Sequence, residues 1–300
     1  MIHGEKDLET FMLLKGMLVD NSKKINFICI GGQRCGKNTM YTWLRDHPEV
    51  STSQEMEINF FSHYWEKGYW WYEDHFSPNQ KTKAIGEMSG SYLYDKEAPN
   101  RVKQYNNDVK IIVSLRNPVG RVISHFKHSV KVGHIPSDNL NVIASIEKSP
   151  ALVEFSQYKK YLSYWLDEFP AQNILVLNFD NIIKFPRETY RELCLFLEID
   201  TEIESKNLGT IQNTSYIPRS HTLLKVITNF RILLEFIGLN AIVRLIRSMQ
   251  LRRVIDKVND SNIEVNISEE ETAYLNNLFK DDWGEIKPML EKYKIKNIGF

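Results

Sequence analysis

The sequence predicts an α/β fold: a P-loop-type, doubly wound parallel sheet with helices on both faces and a helical C-terminal elaboration. Three observations lead there. Short apolar runs at 28–30, 84–87, 109–115 and 173–179 have the texture of buried strands. Between them lie apolar faces at helical spacing, such as Met40, Trp43 and Leu44, or Tyr158, Tyr161, Leu162, Trp165 and Leu166. The first strand also breaks into a glycine-rich turn, with Gly31, Gly32 and Gly36, directly before a helix closed by His47-Pro48. The expected organisation is a single domain over 1–300, with a core at about 24–200 and helical cap and C-terminal helices at about 201–300.

The turn is a candidate phosphate cradle. Glycines let the backbone approach an anion, successive N–H groups turn inward, and a helix N-terminus adds partial positive charge. Arg34 and Lys37 add full charges. Gly31, Gly36 and Lys37 satisfy most of the G-x-x-x-x-G-K-[ST] pattern, but Asn38 stands where the magnesium-binding hydroxyl belongs and Thr39 comes one residue late. From the turn alone three readings stay open: a kinase or triphosphatase site, a metal-free cradle for a sulfate donor with Arg34 on its 5'-phosphate, or an ordinary strand-to-helix turn.

The chain has 300 residues, 42% hydrophobic and 25% charged, enough for a sizeable core. With 38 basic and 38 acidic residues the net charge is zero, which argues against nucleic-acid binding through bulk charge. Cys29, Cys35 and Cys194 are odd in number and lack C-x-x-C spacing, so neither a disulfide framework nor a zinc site is expected, and a cytoplasmic location fits. His125 and His128 have no carboxylate or cysteine at metal-ligand spacing. The N-terminal residues lack the form of a signal peptide, and no stretch is long and uncharged enough to span a bilayer.

In chain order, residues 5–20 suggest a short amphipathic helix. Residues 51–76 are dense in aromatics and place Glu57 shortly before Phe60 and Phe61; Tyr64, Trp65, Trp70 and Trp71 suit either core packing or stacking on sugar rings. The strand at 109–115 runs into Arg116-Asn117-Pro118, where proline fixes a helix start. Ligands sit at the carboxyl ends of strands in such sheets, so Arg116 is expected on the cradle's rim, with Ser124 two turns into the helix. Helices at 156–169 and 187–198 flank the strand at 173–179. Residues 200–221, with Arg219, suggest a loop over the site. Residues 222–257 are apolar yet carry Lys225, Arg231, Arg244, Arg247, Arg252, Arg253 and Lys257, a basic helix pair read chiefly as a cap on the core, membrane-surface contact being the less favoured use. Ser268 and Glu271 form a capping box for a helix through Leu275 and Phe279, and a polar helix near 284–293 follows.

With these residues in view, the chain resembles the sulfotransferases that use 3'-phosphoadenosine 5'-phosphosulfate, and among them the heparan-sulfate-like group. The resemblance runs from about residue 26 to 200. RNPVGRVIS at 116–124 matches R-[ND]-P-x-x-R-x-x-S, the 3'-phosphate motif; IGGQRCG matches the 5'-phosphosulfate loop; MEINFF at 56–61 matches K-E-x-x-F-F, placing the family's catalytic base on Glu57. GEMSGSYLYDKEAPNRVKQ at 86–104 resembles the G-E-K-[TS]-P-x-Y segment that lines the acceptor cleft. The departures are Lys37 and Asn38 in place of threonines, and Met56 and Met88 in place of lysines.

The resemblance implies the sulfotransferase fold, a relative of P-loop kinases, and transfer of a sulfuryl group to a saccharide hydroxyl or, less favoured, an amine. It implies Glu57 and Arg34 as catalytic residues. For the donor it implies Gly32, Arg34, Cys35, Gly36, Lys37, Asn38, Thr39, Arg116 and Ser124, with Tyr158 at the adenosine and Arg219 closing over it. No metal and no nucleic acid are expected. A kinase or triphosphatase, or a donor-binding or glycan-binding module without turnover, remains the alternative.

Overall fold

The computed structural model describes residues 24–136, 140–210 and 266–300, together with scattered positions between 220 and 234. Strands β1 (Phe27–Cys29), β2 (Val50–Thr52), β3 (Ala84–Met88), β4 (Lys110–Leu115), β5 (Ile174–Asn178) and β6 (Lys296–Ile298) form one sheet in the order β2-β3-β1-β4-β5-β6. Every pairing is parallel, with Ile28 between Glu87 and Ile111.

Strand alternation divides the core into two layers. Ile28, Ile30, Ile111, Val113, Ile174 and Val176 pack against Tyr161, Leu162 and Trp165 of the helix Tyr158–Glu168. On the opposite face Phe27, Cys29, Ile112, Leu175 and Leu177 meet Met40, Trp43 and Leu44 of the helix Lys37–Arg45, and Tyr190 and Leu193 of the helix Pro186–Leu197. Apolar side chains on both faces are what a parallel sheet between helical layers requires.

The strand order positions the site. The chain leaves β1 toward β2 and β3 on one side, and leaves β4 toward β5 and β6 on the other, so the connections part between β1 and β4. The turn after β1 and the Arg116-Asn117-Pro118 start after β4 therefore share the crevice where such sheets bind ligands. Their approach is close: Gly32 N–H donates to the Ser114 carbonyl at 2.9 Å, and a Cβ on Gly31 would lie 2.1 Å from Ser114 Oγ.

The four strands expected from the sequence are present, and β2 and β6 add an edge on each side. Each has three residues, too short for a periodic signal. The polar helix expected near 284–293 is Ile286–Lys292, and the chain then runs on into β6. Much of the aromatic stretch is core: Phe60 stacks on Tyr72 with centroids 4.5 Å apart, and Phe61 meets Tyr92 and Tyr105 edge-on or tilted. Trp70 and Tyr64, 73% and 42% exposed, stay open to solvent.

The chain divides into two compact units, one drawn from 1–121, 155–212 and 279–300, the other from 122–154 and 213–278. The sheet and both core layers belong to the first. In the second, Asn141 caps the helix Val142–Lys148, accepting from Ala144 N–H at 2.8 Å. The capping box at the start of the helix Glu269–Gly284 forms as its sequence predicts: Ser268 Oγ accepts from Glu271 N–H, and Glu271 Oε2 accepts from Ser268 N–H. Glu271 Oε1 accepts from Val142 N–H at 2.8 Å and joins the two helices. The expected helix at 5–20, Arg219 with the rest of 211–219, and most of the basic stretch 222–257 lie outside the described residues. Among the described residues no helix is long and apolar enough to cross a membrane.

Candidate active site at the phosphate loop

The loop from Gly31 to Gly36 bends through left-handed backbone at Arg34 (φ 67°) and Gly36 (φ 93°). Gly36 is suited to that conformation; Arg34, with a Cβ, is held in it by its surroundings. No side chain caps the helix Lys37–Arg45 that follows, which leaves its N-terminus to the loop.

Lys37 turns back under the loop. Its side chain is 5% exposed, and Nζ donates to the Gly32 carbonyl at 3.1 Å and pairs with Glu57 Oε1 at 3.6 Å. Gly90 makes room for it, since a Cβ there would sit 2.5 Å from Nζ. Glu57 approaches from the other side, 42% exposed, its Oε2 accepting from Gly90 N–H at 2.7 Å and its own N–H donating to the Met88 carbonyl at 3.0 Å. Its φ of 61° is again left-handed.

Arg116 reaches the loop from the end of β4. Its Nη1 donates to the Arg34 carbonyl at 3.4 Å, and its guanidinium lies 4.4 Å from the Phe179 ring centroid. Gly120 leaves space for the side chain, with a Cβ there only 3.1 Å from Arg116 Nε. Burial lowers the proton affinity of both Arg34 and Arg116, and for Arg34 the charge of Arg116 lowers it further. Two partly buried guanidinium groups in that relation attract an anion.

Beneath the loop is a row of neutral donors. Tyr94 Oη accepts from Gln33 N–H at 3.1 Å and donates to the Phe155 carbonyl at 3.2 Å. Tyr158 Oη lies 3.6 Å from Cys35 Sγ, and both side chains are fully buried. Burial pushes the Cys35 thiol and the Tyr94 and Tyr158 phenols up, so all three stay protonated at neutral pH. Tyr158, expected at the adenosine, has no exposed surface and supports the loop from below.

The remaining expected residues are placed as follows. Gly32 is closed in by Cys35, Tyr94 and Tyr158; Asn38 is exposed; Thr39 is buried. Ser124 lies half-buried in the second unit, on the helix Pro118–Val132. Met88 is wholly buried among the apolar side chains of the sheet, and Met56 packs against the same cluster.

Three residues here escaped the sequence reading. Tyr94 belongs to the segment matched to the acceptor cleft, yet it props the phosphate loop. Arg121, the second arginine of the R-N-P motif, is fully buried and its Nε donates to Ser156 Oγ, so it fastens the chain ahead of Tyr158. Glu87 is fully buried on β3, accepting from Tyr72, Tyr92 and Ser89. Only the sheet order brings such distant positions together; periodicity holds no trace of it.

Known proteins resemble this chain. A family profile described as "Sulfotransferase domain" covers residues 24–220. The chain belongs to the sulfotransferase domain family. It is 30% identical over 186 residues to heparan sulfate glucosamine 3-O-sulfotransferase 3B1 of Mus musculus, covering 60% of this chain and 47% of that protein. To heparan sulfate glucosamine 3-O-sulfotransferase 3A1 of Homo sapiens it is 29% identical over 198 residues, 64% of this chain and 48% of the relative. The chain thus spans about half the length of these curated relatives. The solved sulfotransferase of Alicyclobacillus acidocaldarius shares the fold, with a TM-score of 0.56, 22% identity, and coverage of 63% of this chain and 86% of that one.

Proposed function

We propose that this sulfotransferase domain moves a sulfuryl group from 3'-phosphoadenosine 5'-phosphosulfate to a saccharide hydroxyl, with an amine as the less favoured acceptor. The observation that carries the reading is the meeting of Lys37, Glu57 and Gly90 at the phosphate loop: an acid open to solvent is held against the cation that serves the loop. A nucleotide cradle alone has no use for that carboxylate. The saccharide acceptor rests on the names of the curated relatives and on the exposed aromatic surface at Tyr64 and Trp70.

The residues present suit a donor rich in anionic oxygens. The glycine-rich loop, the uncapped helix N-terminus and the half-buried Arg34 and Arg116 supply donors and positive charge. Glu57 takes the acceptor hydroxyl proton as that oxygen bonds to sulfur. The sulfur–oxygen bond to the 5'-phosphate breaks, and Lys37 and Arg34 stabilise the charge left on the phosphate oxygen. Arg116 holds the 3'-phosphate, chiefly as a ground-state contact. Transfer of this type asks a protein mainly for alignment and charge stabilisation. Cys29, Cys35 and Cys194, all free and buried, accord with the cytoplasmic setting that belongs to the same proposal.

The test pairs ligand choice with transfer. Titration should find tight, metal-independent binding of adenosine 3',5'-bisphosphate, and labelled donor should deliver sulfate to a glycosaminoglycan-type saccharide. Tight binding of ATP only with magnesium would replace this reading by the kinase one. Donor binding without transfer to any saccharide or amine offered would leave a binding module.

A further inference from the structure

Glu57 needs support that the ion pair with Lys37 does not give. It opens a turn in which both Glu57 (φ 61°) and Asn59 (φ 56°) have left-handed backbone, a conformation that asparagine tolerates but that a glutamate adopts only when neighbours hold it there. The neighbours come from one segment, the end of β3 and the turn after it. Asn59 N–H donates to Ser89 Oγ at 3.0 Å, and Asn59 Oδ1 accepts from Ser91 Oγ at 2.6 Å. Asn59 Nδ2 returns to the Glu57 carbonyl at 2.7 Å, tying the turn to itself.

Ser89 is in turn oriented from below. A hydroxyl has one proton, and Ser89 Oγ gives its own to Glu87 Oε2 at 2.5 Å, which directs a lone pair at Asn59 N–H. The other carboxyl oxygen, Oε1, accepts from Tyr72 at 3.0 Å and from Tyr92. Glu87, Ser89, Tyr72 and Tyr92 are all fully buried, or nearly so, away from competing water. The two phenols remain protonated donors, pushed up by burial and by the carboxylate beside them.

We propose that Glu87 and Ser89 are positioning residues for the catalytic base: the buried carboxyl fixes the Ser89 hydroxyl, which fixes Asn59 and so aims Glu57 at Lys37 and the acceptor. The inference rests on the proposed role of Glu57. It assigns to β3 a function in turnover, separate from donor binding on Arg116 and the phosphate loop. Ser89→Ala removes the acceptor for Asn59 N–H at the cost of one buried atom. Glu87→Gln keeps volume but replaces an acceptor by a donor, so Ser89 loses its fixed orientation.

The experiment measures transfer kinetics and amide hydrogen exchange in the natural chain, Ser89→Ala, Glu87→Gln, Glu57→Gln and the Ser89→Ala/Glu57→Gln pair. Ser89→Ala should lower kcat about tenfold or more with donor KM changed less than about twofold, and Glu87→Gln should act in the same direction. In the Glu57→Gln background Ser89→Ala should cost nothing further, because it acts through a base already removed; a merely structural defect would lower both backgrounds alike. Exchange at Asn59 N–H should quicken in Ser89→Ala while the sheet amides stay protected. Natural kcat in folded Ser89→Ala, or an equal loss in both backgrounds, would overturn the proposal while leaving the sulfotransferase reading intact. If the natural chain transfers nothing, that reading fails on its own, and unchanged Asn59 exchange in Ser89→Ala would then refute the relay.

Discussion

Lys37 Nζ lies 3.6 Å from Glu57 Oε1 and 3.1 Å from the Gly32 carbonyl, so one buried ammonium joins the phosphate loop to the acid opposite it. Removing that ammonium takes the cation from Glu57, which is open to solvent, and the donor from the Gly32 carbonyl. Lys37→Met should therefore lower single-turnover transfer by about 10²-fold, the scale of losing one stabilising donor at the reacting group. It should also leave the fold intact, because methionine fills the same stem volume. Transfer at the natural rate in a folded Lys37→Met chain would remove the lysine from the reaction.

Arg116 offers a different separation. The proposed role puts it on the 3'-phosphate, and a charge-assisted contact of that kind is roughly twice as strong as a neutral one and is not replaced by a shorter side chain. Arg116→Ala should weaken adenosine 3',5'-bisphosphate far more than adenosine 5'-monophosphate in calorimetric titration. Equal loss for both ligands would assign Arg116 to the loop alone, where it already touches the Arg34 carbonyl.

Glu57→Gln should reduce kcat by about 10²- to 10⁴-fold, the range over which a general base acts, with donor affinity almost unchanged. The proposed function places donor binding on other residues, Arg34, the loop amides and Arg116. An equally fast variant would mean that another group accepts the proton.

Burial pushes Glu87 up to about 7 despite three hydroxyl donors, and the nearby Glu57 charge adds to the effect. Between about pH 4.5 and 7 the folded chain thus holds a proton that the unfolded chain releases. The resulting stabilisation is complete below the unfolded value and is lost as pH rises through 7, with a size of about 3 kcal/mol. Denaturant titrations of the natural chain and Glu87→Gln should show this step in the difference between them. Glu49 and Glu198 are shifted the opposite way through their lysine partners, but they are common to both proteins and cancel. A difference that stays flat from pH 4.5 to 8 would mean that Glu87 keeps an ordinary proton affinity.

What the sequence discloses and what it conceals divide along a physical line. The central strands, the Gly31–Gly36 turn and the proline start at Pro118 are local signals, carried by burial, backbone freedom and ring geometry over a few residues. The Ser268/Glu271 capping box is equally local and is present as written. The pairing of Lys37 with Glu57, the prop of Tyr94 under Gln33 and the relay from Glu87 through Ser89 to Asn59 depend on which strands are neighbours. A motif names Glu57, but no motif says that Gly90 must lack a side chain for Lys37 to reach it. Met56 and Met88, conspicuous as departures from lysine, serve apolar packing around the sheet, a role their neighbours in sequence do not reveal.

The strand order also has a kinetic consequence. β1 is made first, yet its partners are β3 and β4, far along the chain, and β4 must then wait for β5. Loop-closure entropy has to be met before any of these contacts returns stabilisation, which makes such a topology slow to assemble compared with helical bundles of similar size. Helices on either side of the sheet can form early, but the phosphate loop has no fixed shape until Gly32 meets Ser114 at the end of β4. Competence to bind a nucleotide should therefore be among the last properties a refolding chain acquires, trailing the recovery of helical circular dichroism, and the ligand itself becomes a clock for completion of the central sheet.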